Sequence, residues 1–135
     1  MPQELKRPRV LIADDHAGVR MAVSRLLSPS CDVVGHAVDS ATLLAATVQL
    51  RPDVVLLDLS LPGGNGLDAC RRLRRVTPRV KIVAFTAHDD EDIRRSAYEA
   101  GCSGFVWKLQ AERELLGTIR AVLDDSSRYA EGDTA

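Results

Sequence analysis

The chain has 135 residues, of which 45% are hydrophobic and only 4% aromatic, enough for one domain with an aliphatic core. Its 18 basic and 19 acidic residues give a net charge of −1, which argues against a chain-wide surface for nucleic acid or a membrane. No stretch approaches the roughly 20 apolar residues of a membrane span, and residues 1–9 are too polar for a signal peptide.

Five short apolar runs predict five β-strands, at residues 10–13, 33–38, 54–57, 80–85 and 104–107. Each run is followed by a segment with apolar residues at helical spacing. Asp39 or Ser40 is expected to cap the second helix, and Asn65 followed by Gly66 opens the third. The fourth helix has a thin apolar stripe of mostly alanines, so we expect it to be held least firmly.

Regular alternation of strands and helices predicts an α/β fold, a doubly wound parallel sheet with helices on both faces. Five strands of this kind commonly take the order 2-1-3-4-5, as in flavodoxin-like folds. We expect the domain to span residues 8–124 and residues 125–135 to be a tail or the start of an interdomain linker. Cys31, Cys70 and Cys102 lie in apolar patterns without the paired spacing of a metal site, which predicts free, buried thiols of a cytosolic protein.

Polar side chains stand where four of the five predicted strands end. Asp14 and Asp15 follow strand 1, Asp58 follows strand 3, Thr86 follows strand 4 and Lys108 follows strand 5. In the 2-1-3-4-5 order these ends meet on the rim where open α/β sheets bind ligands. Three clustered carboxylates repel one another, so at least one should have a raised pKa unless a cation joins them.

A hard divalent cation with oxygen ligands resolves that repulsion, and Mg²⁺ also leaves room for phosphate oxygens. An aspartate can act as a nucleophile in phosphoryl transfer and form an aspartyl phosphate. A lysine ammonium offsets charge on the transferring group, and a threonine hydroxyl can donate a hydrogen bond to it. The strand ends therefore favour phosphoryl chemistry centred on Asp58.

Four motifs in this order resemble the receiver domain of bacterial two-component response regulators. They are Asp14-Asp15-His16, Asp58 with Leu61-Pro62-Gly63, Thr86-Ala87, and Phe105-Val106-Trp107-Lys108. The resemblance covers about residues 8–124 and implies a CheY-like receiver fold. Val19-Arg20, Val33-Val34-Gly35 and Leu56-Leu57-Asp58-Leu59 are similar to the NarL/FixJ class, whose members carry a LuxR-type output.

The resemblance implies a role for each matching site residue. Asp58 would be the phosphoacceptor, and Asp15, Asp58 and the Ser60 carbonyl would hold Mg²⁺ with help from Asp14 through water. The donor would be a phosphohistidine on a sensor histidine kinase.

Thr86 and Lys108 would bind the phosphoryl group, and Thr86 and Phe105 would act as the switch. Phosphorylation would pull Thr86 toward the phosphate, and Phe105 would swing inward. The surface formed by helix 4, strand 5 and helix 5 would then select a partner or a homodimer. Contact with DNA would require an output domain that these residues do not contain. Such a cytoplasmic receiver regulates transcription and catalyses only its own phosphorylation and dephosphorylation.

Three other interpretations remain open at this point. The chain could be a stand-alone receiver that acts through protein contacts. A haloacid-dehalogenase-type phosphatase would need a second Asp where Ser60 stands. A flavodoxin-like cofactor binder would need a phosphate loop where Asp14 and Asp15 would repel an anion. His16 is expected to help cap helix 1 rather than bind metal, and the geometry of the Lys108–Leu109 peptide is left open.

Overall fold

The computed structural model describes the backbone of residues 7–132 and the side chains of residues 7–124. Its centre is one parallel sheet of five strands in the order β2-β1-β3-β4-β5, which confirms the predicted fold class. The strands are β1 Arg9–Ala13, β2 Asp32–Ala37, β3 Val54–Leu57, β4 Lys81–Thr86 and β5 Gly104–Trp107.

Five helices connect and cover these strands. They are α1 Ala17–Leu27, α2 Ser40–Leu50, α3 Gly66–Val76, α4 Glu91–Glu99 and α5 Ala111–Gly132, with a 3-10 turn at Lys108–Gln110 before α5. Within the described part of the chain, none of them is both long and apolar enough to cross a membrane.

The last helix is longer than its apolar pattern indicates. The last predicted apolar position is Leu123, whereas the backbone stays helical as far as Gly132. No proline or glycine lies between Asp124 and Gly132, so no residue there breaks the helix. Part of the predicted tail is thus helical, and residues 133–135 lie outside the described residues.

The sheet separates two aliphatic cores. Along β1, Leu11 and Ala13 face the core beneath α2, α3 and α4, whereas Val10 and Ile12 face the core beneath α1 and α5. The four residues of β3 are fully buried. Burial on both faces is the rule for parallel sheets covered by helices, and it fixes the central strands that carry the site.

Local side-chain caps start most of the helices. Asp39 caps α2 by accepting from Thr42 N, in a reciprocal capping box, and Asn65 accepts from Leu67 N at the start of α3. Both predicted caps are confirmed. His16 occupies the N-cap position of α1, but its side chain makes no capping hydrogen bond. That prediction was wrong because the ring contacts an aspartate instead.

Helix α4 is held by little apolar surface, as its sequence predicts. Its only fully buried side chain is that of Ala97, and Ile93 is partly buried. By comparison α3 buries four residues. Few buried apolar contacts are typical of a low-stability element.

The turn after β3 depends on glycines. Gly63 and Gly64 have φ angles of 98° and 132°, which favour glycine, and Pro62 accepts a hydrogen bond from Ser40 N of α2. Gly66 begins α3 so close to Leu59 that an added Cβ would lie 2.2 Å from the Leu59 carbonyl oxygen. The path from β3 into α3 therefore leaves no room for a side chain at Gly66.

We expect Gly66→Ala to lower the free energy of unfolding by at least the roughly 1–3 kcal/mol typical of overpacking, because the clash is with backbone. Gly117→Ala is the matched control, since nothing lies within 4 Å of an added Cβ on that exposed helical glycine. It should stabilise the protein by roughly 0.5–1 kcal/mol. Urea denaturation measures both, and equal effects of the two substitutions would refute the tight approach at Gly66.

Candidate functional site

The sheet itself places the two buried carboxylates side by side. Asp14 N donates to Ala37 O, and Asp58 N donates to Ala13 O, each at 3.0 Å. These bonds extend the ladders of β1 and β3 one residue past the strands, so both aspartates leave the sheet at the same edge. The residues Asp14 and Asp58 are 0% and 1% exposed, although charged groups are rarely buried unless paired.

Lys108 supplies the pairing charge. Its Nζ lies 2.6 Å from Asp14 Oδ2 and 3.1 Å from Asp58 Oδ2. Burial raises the pKa of Asp14, but the Lys108 ammonium and hydrogen bonds from His16 lower it, and the net pKa falls below 3.8. Burial lowers the pKa of Lys108, and the two carboxylates outweigh it, so the net pKa is above 10.5. Lys108 is therefore one cation that joins the clustered carboxylates.

The other oxygen of Asp58 is held by Ser60. Asp58 Oδ1 accepts from Ser60 N at 2.9 Å and from Ser60 Oγ at 2.8 Å. With Lys108 on Oδ2, both oxygens of the carboxylate have partners and its orientation is set. The sequence predicted a role only for the Ser60 carbonyl, so this side-chain contact was missed.

Three of the predicted metal ligands do come together. Oxygens of Asp14, Asp15 and Asp58 lie with a His16 ring nitrogen so that all four atoms are within 4.8 Å of one another. Asp14 Oδ2 is buried beside Lys108 Nζ, and no further partner of this oxygen is found among the described residues. Clustered carboxylate oxygens with spare acceptor capacity suit a hard cation such as Mg²⁺.

His16 belongs to this cluster, which the sequence did not predict. Its Nδ1 lies 2.9 Å from Asp14 Oδ1 and 3.3 Å from Asp15 Oδ1. The only signal was its position directly after the aspartates. An imidazole is not a preferred ligand of Mg²⁺, so we assign His16 to contacts with the carboxylates.

Thr86 reaches the same edge but does not join the ion pairs. It is buried at the end of β4, and its Oγ1 accepts from His88 N at 3.2 Å. None of the hydrogen bonds among residues 7–124 links it to Asp58 or Lys108. Thr86 therefore borders the pocket in this structure without contacting its charges.

The predicted switch residue Phe105 is already 6% exposed. The Arg94 guanidinium of α4 lies 4.5 Å from the centre of its ring, a cation–π contact. Phe105 is thus buried beneath Arg94 in this structure.

Trp107 makes a contact that the sequence did not reveal. Its Nε1 donates to the Ala87 carbonyl at 3.1 Å, and Ala87 directly follows Thr86. The peptide after Lys108, left open from the sequence, is trans, because the described chain contains no cis peptide bond.

Fold and site together define a class: a doubly wound sheet with an acidic pocket and one lysine at its carboxyl edge. The family model of the response regulator receiver domain matches residues 10–120. The chain therefore belongs to the response regulator receiver family of two-component systems, and its relatives confirm the resemblance to the NarL/FixJ class.

Two curated relatives illustrate the similarity. The chain is 37% identical to the response regulator GacA of Pseudomonas viridiflava over 116 residues, which cover 84% of this chain and 54% of that protein. It is 35% identical to the response regulator UvrY of Escherichia coli (strain K12) over 128 residues, 93% of this chain and 58% of that protein. The chain thus spans little more than half the length of these relatives.

Two solved structures of response regulators are also similar to this chain. A LuxR-family two-component response regulator from Aurantimonas sp. SI85-9A1 matches with a TM-score of 0.83 and 32% identity, covering 96% of this chain and all of that one. The receiver domain of the putative response regulator NarL from Mycobacterium tuberculosis matches with a TM-score of 0.79 and 34% identity, covering 90% of this chain and 98% of that one.

We expect Lys108→Met to raise the pKa of Asp14, because burial would then act on the carboxyl without the ammonium. Carboxyl NMR titration measures the shift, and Lys81→Met, at the opposite end of the sheet, should leave the pKa of Asp14 unchanged.

Lys108→Met should also change how stability depends on pH. Because the pKa of Asp14 in the folded protein lies below 3.8, Asp14 stabilises the fold at pH values above its unfolded pKa, and this stabilisation is lost as the pH falls through the folded pKa. Lys108→Met should therefore lose less stability than wild type on acidification, and an unchanged Asp14 titration would contradict the pairing.

Proposed function

We propose that this receiver takes a phosphoryl group from a phosphohistidine of a sensor histidine kinase onto Asp58. The observation that carries the proposal is the setting of Asp58: a buried carboxylate at the sheet edge, oriented by Ser60 and paired with Lys108. A carboxylate oxygen of Asp58 attacks phosphorus, the bond from phosphorus to the imidazole nitrogen breaks, and the imidazole keeps that electron pair. The product is an aspartyl phosphate.

The same pocket supplies the charges that this transfer needs. Lys108 stays protonated, because its pKa is raised, and offsets negative charge on the phosphoryl oxygens. Mg²⁺ would be held by Asp14, Asp15, Asp58 and the Ser60 carbonyl and would neutralise further phosphoryl charge. The Thr86 hydroxyl, which accepts a hydrogen bond from His88 N, would donate its own proton to a phosphoryl oxygen.

A movement of Thr86 would reach the surface through its neighbours. Ala87 follows Thr86 in the chain, and its carbonyl accepts a hydrogen bond from Trp107 Nε1 of β5. On the same strand, the ring of Phe105 is covered by the guanidinium of Arg94 of α4. The α4–β5–α5 surface would change shape and favour a phosphorylation-dependent homodimer. Such a two-state shift needs only a few kcal/mol of differential interaction.

The relatives suggest where the signal goes. The matched residues cover only 54% and 58% of two response regulators similar to this chain, and one similar structure is of the LuxR family. We propose that the receiver controls transcription in the cytoplasm through a DNA-binding output domain following α5. The domain catalyses no reaction other than its own phosphorylation and dephosphorylation.

Incubation with acetyl phosphate and Mg²⁺ should add the mass of one phosphoryl group to the wild type and none to Asp58→Asn. The substitution keeps the size of the side chain but removes the nucleophilic carboxylate. Intact-mass analysis at neutral pH measures the result.

Asp68→Asn is the matched control, because Asp68 is an exposed carboxylate of α3 that pairs with Arg71. It should be labelled like the wild type. Labelling that persists in Asp58→Asn, or is lost in Asp68→Asn, would displace Asp58 from the proposed role.

Trp107 is the only tryptophan and should report the switch. Addition of Mg²⁺ with beryllofluoride, a phosphoryl mimic, should change its fluorescence, because displacement of Ala87 alters the indole hydrogen bond. Asp58→Asn should show no change under the same conditions. Binding shown by calorimetry without any change in emission would count against a switch on this surface.

A further inference from the structure

Two thiols meet in the aliphatic core that α2, α3 and α4 cover. Cys70 lies on the buried face of α3, and Cys102 lies between α4 and β5. Their Sγ atoms are 3.3 Å apart, and the residues are 0% and 6% exposed. Neither belongs to the site described above, and both are reduced in this structure.

The distance leaves the two sulfurs close to bonding range. A disulfide has an S–S length of about 2.05 Å, so the sulfurs must approach by little more than 1 Å. Two of the neighbours are alanines, since Cys70 Sγ contacts the carbonyl of Ala100 and Cys102 N donates to the carbonyl of Ala97. Small neighbours allow the side-chain rotation that this approach requires.

The surroundings distinguish the two thiols. The hydrogen bond with Cys102 lowers the pKa of Cys70, burial raises it, and the guanidinium groups of Arg74 and Arg71 lower it; the net direction is down. The same hydrogen bond and burial raise the pKa of Cys102. The guanidinium groups of Arg74 and Arg71 favour the Cys70 thiolate, and the thiolate is the reactive form of a cysteine.

We infer that Cys70 and Cys102 are a redox-modifiable pair that forms a reversible disulfide on exposure to a peroxide. The Cys70 thiolate attacks one peroxide oxygen, the O–O bond breaks, and a sulfenic acid and one water result after proton uptake. Cys102 Sγ then attacks the sulfenic sulfur, the S–O bond breaks, and a second water leaves with the Cys102 proton. Two thiols lose two electrons in total, and one hydrogen peroxide is reduced to two waters.

The proposed disulfide would link the end of α4 covalently to α3. Cys70 Sγ already donates to Ala100 O at 3.4 Å, and Cys102 N donates to Ala97 O at 3.0 Å, so both cysteines contact the last turn of α4 and its cap. A covalent link between them ties that turn to α3. Helix α4 buries little apolar surface of its own, so a tether there has more effect than at a firmly packed helix.

The test is thiol counting on the intact domain. Wild-type protein is treated with hydrogen peroxide, denatured and alkylated, and its mass is measured. The number of alkylated thiols should fall from three to one and return to three after reduction by dithiothreitol. Peptide mapping should find Cys70 linked to Cys102. The oxidised form should also unfold at a higher temperature than the reduced form and show slower hydrogen exchange in α4.

Cysteine variants separate this pair from the third thiol. Cys31, buried in the other core, is the matched control: Cys31→Ala should fall from two alkylated thiols to none. Cys102→Ala and Cys70→Ala should each keep two alkylated thiols after oxidant treatment. If one of these variants fails to fold, the other is enough for the comparison. Three thiols remaining in oxidant-treated wild type, sulfinic acid without a link, or a bridge that includes Cys31 would each overturn the inference.

Discussion

The ion pairs of Lys108 with Asp14 and Asp58 are the interaction on which the site depends. Each partner follows a different strand, so three strand ends are tied at a single point. Buried carboxylates without a cation would be strongly destabilising, since an unpaired buried charge costs several kcal/mol. The pocket is thus acidic enough for a metal ion and yet stable without one, because a protein cation offsets part of its charge.

The parallel sheet explains why the grouping of these three side chains could be predicted from the sequence. Strand runs such as Val54–Leu57 are local patterns, and parallel strands end at a common edge. Strand order, the grouping of Asp14, Asp15 and Asp58, and the nearness of Lys108 follow from those patterns together with the family resemblance.

Side-chain contacts could not be predicted in the same way. The Ser60 hydroxyl on Asp58, the Trp107 bond to Ala87 and the Cys70–Cys102 contact depend on rotamers and on distances between elements far apart in sequence. The length of α5 was underestimated for another reason: its apolar stripe ends near Leu123, whereas the backbone continues because nothing breaks it. Burial patterns predict the packed face of a helix more reliably than they predict the residue at which the helix ends.

Helix α4 is where these contacts converge. On one side Arg94 covers Phe105 of β5, and on the other the Cys70 and Cys102 thiols contact its last turn. Its own buried surface is little more than Ala97, so polar, cation–π and sulfur contacts supply much of what positions it. Because such contacts are few and individually weak, the proposed changes at Thr86 and at the thiols would meet little resistance to a shift in the position of α4. The scarcity of apolar contacts is therefore what would allow this helix to respond to the proposed phosphorylation and to the proposed disulfide.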